Sequence, residues 1–84
     1  MKIYDVLLAS YEREVKCKAK HGAKAAIDLF GTVLLEVIEE YEEVPNGKQL
    51  YKQFAEKVNQ QTGWGYKQLL NLLKTTMVEV ALDN

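Results

Sequence analysis

The sequence predicts an all-α chain, folded as a compact antiparallel four-helix bundle. Three observations point there. The chain has one proline and five glycines in 84 residues, and it shows almost no apolar–polar alternation. Its apolar residues recur instead at three- and four-residue spacing over four long segments. The connections between those segments are short, which favours antiparallel neighbours. We read residues 1–84 as one domain, with no internal repeat, linker or low-complexity stretch. A chain of this length buries only about 60% of the surface its unfolded form exposes, so each apolar face has to contribute. Its content of 48% hydrophobic and 27% charged residues is that of a folded, soluble domain.

The first helix is expected over residues 2–20, closing at His21-Gly22. Ile3, Tyr4, Val6, Leu7, Leu8 and Tyr11 make its front half apolar. Past Glu14 only Val15, Cys17 and Ala19 remain to face a core. The second helix is expected over 23–44. Ile27, Phe30, Leu34, Val37, Tyr41 and Val44 step 3-4-3-4-3, an unbroken heptad stripe. Leu29, Val33, Leu35 and Ile38 add apolar groups on other sides, as expected of a central helix with neighbours all round. Pro45 ends it.

The third helix, 47–61, is expected to start with Asn46 as N-cap and Gln49 as its capping-box partner. Leu50, Tyr51, Phe54, Ala55 and Val58 form its apolar face, and Thr62-Gly63 would supply a left-handed terminator. The fourth, 66–82, sets Tyr66, Leu69, Leu70, Leu73, Thr76, Met77 and Val80 on one broad face. Trp64, between two glycines, is expected to fold back over the ends of helices three and four. Display as an interface anchor is its other use.

A net charge of −1 gives no global steering toward nucleic acid or membrane. The single Cys17 cannot form an internal disulfide, which fits a reducing interior. "MKIYDVLLAS" reads as neither signal peptide nor membrane span, so a cytoplasmic location is expected.

Two charge clusters interrupt this plain composition. Arg13, Lys16, Lys18, Lys20 and Lys24 gather around the end of the first helix. Cations there complement the helix dipole by about 0.3–1 kcal/mol each, and they also offer a surface to an anionic partner. Glu36, Glu39, Glu40, Glu42 and Glu43 crowd the end of the second helix, where the dipole opposes them. Lys2, Lys48 and Lys52 are the expected compensating charges. An acidic face kept for docking a basic partner is the other reading.

Catalytic and metal chemistry find little support. Glu36-x-x-Glu39 and Glu40-x-x-Glu43 supply the first half of the magnesium motif of the all-α nucleotide pyrophosphohydrolases. The second half fails, because Glu79 and Asp83 are spaced one residue too far apart and a magnesium site needs convergent ligands. Cys17 and His21 sit at i, i+4, but no further Cys or His exists to complete a zinc site. "GWG" lacks the lysine and hydroxyl of a phosphate loop. No catalytic residue, metal or cofactor is assigned.

"FAEKVNQQTGWGYKQLLNLLKTTMVEVAL" has the outline of a helix-turn-helix. Its second helix would offer Lys67, Gln68, Asn71 and Lys74 to nucleic acid. Glu56, Glu79 and Asp83 dilute the positive charge such a surface needs. The same unit is similar to the opening helical hairpin of bacterial histone-like proteins, through Glu56-Lys57-Val58, Thr62-Gly63 and Lys67. The DNA-gripping β-arms of that family have no counterpart here, so the similarity implies the hairpin alone.

With "VPNGKQLYKQF" as a Pro/Gly break before the third helix and "GWG" as an aromatic–glycine stretch, the whole chain resembles the immunity proteins of pediocin-like bacteriocins. The resemblance implies a small cytoplasmic antiparallel bundle that protects by binding a protein. The expected function is therefore non-enzymatic docking to a protein partner through the acidic face, then the basic end. A DNA-binding regulator using the fourth helix is the alternative. Pairing with a second copy, through the first and fourth helices, is a further expectation.

Overall fold

Four apolar stripes decide the architecture, because each helix buries its own against its neighbours. The computed structural model describes residues 2–18, 21–41, 43–63 and 65–82, the side chain of Lys18 excepted. Its helices are α1 (Lys2–Lys18), α2 (Ala23–Tyr41), α3 (Gly47–Gln60) and α4 (Tyr66–Leu82). Among the described residues there is no strand. α1 buries Tyr4, Leu7, Tyr11 and Val15, and α3 buries Leu50, Phe54 and Val58. α2 contributes Ala26, Phe30, Val33, Leu34 and Val37; α4 contributes Leu69, Leu73, Thr76, Met77 and Val80.

α1 packs on α2 and α4, and α3 packs on the same two, so the helices form a ring with lightly touching diagonals. Tyr11, Phe30 and Phe54 meet in the middle. The Tyr11 ring stands edge-on to Phe30 at 5.5 Å and to Phe54 at 5.6 Å, while the two phenylalanines lie 4.7 Å apart. Edge-to-face contacts suit the ring quadrupoles, and each pair adds about 0.5–1.5 kcal/mol beyond burial. Tyr51 stacks on the outer side of Phe30 at 6.2 Å.

Three hydroxyls in this interior are satisfied. Tyr11 Oη donates to the Ala26 carbonyl at 3.1 Å, and Tyr4 Oη donates to the Pro45 carbonyl at 2.7 Å. Thr76 Oγ1 donates to Leu72 O, one turn back in its own helix, at 2.6 Å. No buried side-chain nitrogen or oxygen among the described residues lacks a partner.

The helix ends depart from expectation in three places. α2 stops at Tyr41, not Val44, and Glu43 N donates to Tyr41 O. Pro45 forbids helical geometry just before it, and leaving the helix early lets Val44 turn inward to the core. Val44-Pro45-Asn46-Gly47 then form a turn closed by Gly47 N on Val44 O at 3.1 Å. Asn46 takes the left-handed conformation, φ 56°, and makes no side-chain cap bond. An N-cap needs extended backbone, so the turn displaces the expected capping box. α3 ends on an extended Gln61, not on a left-handed Gly63. Gly22, at φ 95°, is the glycine whose positive φ the chain uses, and its carbonyl receives Ala26 N as α2 begins. α1 is described as far as Lys18; Ala19, Lys20 and Trp64 lie outside the described residues.

The start of α1, the end of α2, the start of α3 and the end of α4 share one end of the bundle. Tyr4 touches Pro45 there, and Tyr4 and Leu8 line a groove with Met77, Val78 and Ala81. At the other end Lys16 Nζ lies over the Tyr66 ring, 5.6 Å from its centre. Lys57 on α3 meets Glu79 on α4 at 3.2 Å. The two lie 22 positions apart in the chain, so the pair joins α3 to α4 well away from their connection.

Candidate functional site

Burial on one side of α2 leaves its other side to solvent, and the acidic residues sit there. Glu36, Glu39, Glu40 and Glu43 are all exposed, while Glu42 lies outside the described residues. Among the described residues none of these four joins an ion pair. Lys48 and Lys52, exposed at the start of α3, join none either, and nor does Lys2. The expected local compensation is therefore not made. The last turn of α2 carries no basic residue and the first turn of α3 no acidic one. Both helix ends bear charge of the sign their dipoles disfavour.

Between α2 and α3 at this end runs an apolar groove of about 570 Å³. Leu34, Leu35, Ile38, Val44, Gly47 and Tyr51 line it, with Glu43 on one side and Lys48 on the other. Leu35 is 63% exposed and Tyr41 43%, so apolar surface at this end of α2 stays open to water. Here the expectation of a central helix fails. α2 occupies a corner of the ring with α1 and α3 as its main neighbours, and Leu35 faces outward. The groove was not foreseen, although Leu35 and Ile38 stand off the heptad stripe and gave the one available signal.

The basic cluster is less unified. Arg13, Lys16 and Lys24 are exposed; Lys20 and the side chain of Lys18 lie outside the described residues. Lys16 reaches Glu12 at 3.9 Å as well as the Tyr66 ring, so its charge is partly engaged within the chain. Cys17 is exposed and free. His21 is exposed and belongs to no α-helix. No three described His, Cys, Asp or Glu side chains converge as a metal-binding group.

Lys67, Gln68, Asn71 and Lys74 are all exposed, at spacings that set them along one side of α4. Gln68 turns back, its Oε1 accepting Gly65 N–H at 3.3 Å, which serves the start of the helix. Glu79 is occupied by Lys57. Beneath Lys74 a second groove of about 400 Å³, bordered also by Asp5, runs between α1 and α4. No described helix is long and apolar enough to cross a membrane.

No protein-family model, curated protein or solved structure matches this chain.

Proposed function

We propose that this chain is a small non-enzymatic helical protein that docks a basic protein partner through the outer face of α2. Its manner would be that of immunity proteins, inhibitors and antagonists, acting in the cytoplasm. The observation that supports the reading is the state of Glu36, Glu39, Glu40 and Glu43. They are exposed and unpaired among the described residues, and they sit at a helix end whose dipole opposes them. Such a placement costs a free chain stability and favours a cation brought by something else. Exposed Arg13 and Lys24, at the opposite end, offer a second surface of opposite sign.

Affinity capture with the wild-type chain and with Glu36→Lys/Glu40→Lys tests it, the captured proteins being identified by mass spectrometry. A protein held by the wild type and released by the variant is the expected result. Equal capture by both removes the acidic face from consideration.

The exposed row Lys67, Asn71 and Lys74 on α4 favours a second reading, a DNA-binding regulator. Retention on duplex DNA that collapses with moderate salt would mark it, since phosphate contacts weaken steeply as salt rises.

A further inference from the structure

We propose that the α2–α3 groove is covered by a second copy of this chain, in a two-fold dimer whose axis runs alongside the helices. The argument rests on how the groove's two rims are charged. On α2, Glu39 follows Leu35 by one turn and Glu43 lines the groove itself. On α3, Lys48 lines it and Lys52 follows by one turn. All four are exposed, and among the described residues none is in an ion pair, so the rims do not close on each other within one chain.

A two-fold axis parallel to the helices sets α2 of one copy against α3 of the other, running in opposite directions. Both rims lie beside the Glu43–Asn46 segment, at one end of the bundle, so the rotation keeps them level. Glu39 and Glu43 then face Lys48 and Lys52 of the second copy, twice over. The same rotation brings the lysines to an α2 C-terminus and the glutamates to an α3 N-terminus. Each charge becomes the sign that the opposing dipole favours. Leu35, Ile38 and Tyr51 supply the apolar centre, and an isologous interface needs this kind of self-complementary patch. A foreign helix would have to carry the same split of charges along its two edges; a second copy carries it already.

Glu36 and Glu40 are turned roughly 60–100° further round α2 from Glu39, so the dimer leaves them outward for the partner proposed above. Dimerisation and partner capture are thus read by different variants, and either can fail without the other.

Sedimentation velocity across a concentration series tests the proposal on the wild type, on Glu39→Lys/Glu43→Lys and on Lys48→Glu/Lys52→Glu. Far-UV circular dichroism follows the fold of each. The wild type is expected to dimerise, and each one-sided swap, which opposes like charges, to weaken the dimer at least about tenfold. An equimolar mixture of the two swapped chains should regain it, because every rim contact is again between opposite charges. Should a swap lose its helical spectrum, Leu35→Asp, at a position already open to water, tests the same face and should likewise dissociate the dimer. A wild type that stays monomeric throughout overturns the proposal and leaves the groove to another protein's helix. So does a dimer indifferent to the swaps and to Leu35→Asp, or folded swapped chains that do not recombine.

Discussion

Tyr11 donates its hydroxyl proton to the carbonyl of Ala26 across the α1–α2 interface, at 3.1 Å, from a fully buried ring. The contact joins the middle of one helix to the first turns of the next, and it makes a titratable group part of the core.

Burial pushes the Tyr11 phenol above its ordinary value of 10.0, and it raises Tyr4 as well. The charged form of tyrosine is the deprotonated one, so above pH 10 the unfolded chain releases protons that the folded chain keeps. Stability is therefore whole below about pH 10 and falls as pH rises beyond it, by at most about 1.4 kcal/mol per pH unit per group. Urea melts at pH 8 and pH 11 should show that loss. Tyr11→Phe should reduce it, while costing about 0.5–1.5 kcal/mol at pH 8 for the hydrogen bond removed. An unchanged alkaline slope in Tyr11→Phe would mean that Tyr11 is not the group responsible.

The left-handed backbone at Asn46 predicts an order of substitutions opposite to that of a capping residue. Serine caps as well as asparagine does but adopts positive φ poorly, so Asn46→Ser should cost about 1 kcal/mol. Asn46→Gly should be neutral or slightly stabilising, because glycine takes that conformation freely. Thermal melts of the two variants decide the matter, and a Ser variant more stable than the Gly variant would restore the capping box.

Gly31 lies inside α2, where alanine is the better helix former by roughly 0.5–1 kcal/mol. A Cβ there would meet Tyr51 Cε2 at 3.1 Å, closer than comfortable. Tyr51 is only half-buried and borders an open groove, so its ring has room to move by a few tenths of an ångström. Gly31→Ala should then keep part of the gain, up to about 0.5 kcal/mol. Destabilisation in a chemical melt would show that the stack of Tyr51 on Phe30 holds the ring rigidly.

What could be read from the sequence followed from local rules. Three- and four-residue spacing placed four helices, and the predicted faces of α1, α3 and α4 contain the residues the core buries. α4 runs from Tyr66 to Leu82 as expected. The errors arose where a residue had two possible uses. Asn46 suits an N-cap or a left-handed turn, and Pro45 beside it selected the turn. Leu35 suits a core or an interface, and only the ring arrangement of the helices leaves it outside. The Lys57–Glu79 pair was beyond local reasoning altogether, since it depends on how α3 and α4 pack together. Glu36, Glu39, Glu40 and Glu43 are exposed, in keeping with their place off the heptad stripe, but their relation to the groove needed α3 in position.

The bond from Tyr4 to Pro45 spans 41 positions of chain. It fastens the opening turn of α1 to the connection between α2 and α3, where the Gly47 amide is held by Val44. Helix ends ordinarily fray first, and fraying stays local when nothing distant leans on them. Here the loss of one phenolic contact should loosen a bend in the middle of the sequence. Amide exchange at Gly47 should therefore keep time with exchange in the first turns of α1, the two segments opening as one latch.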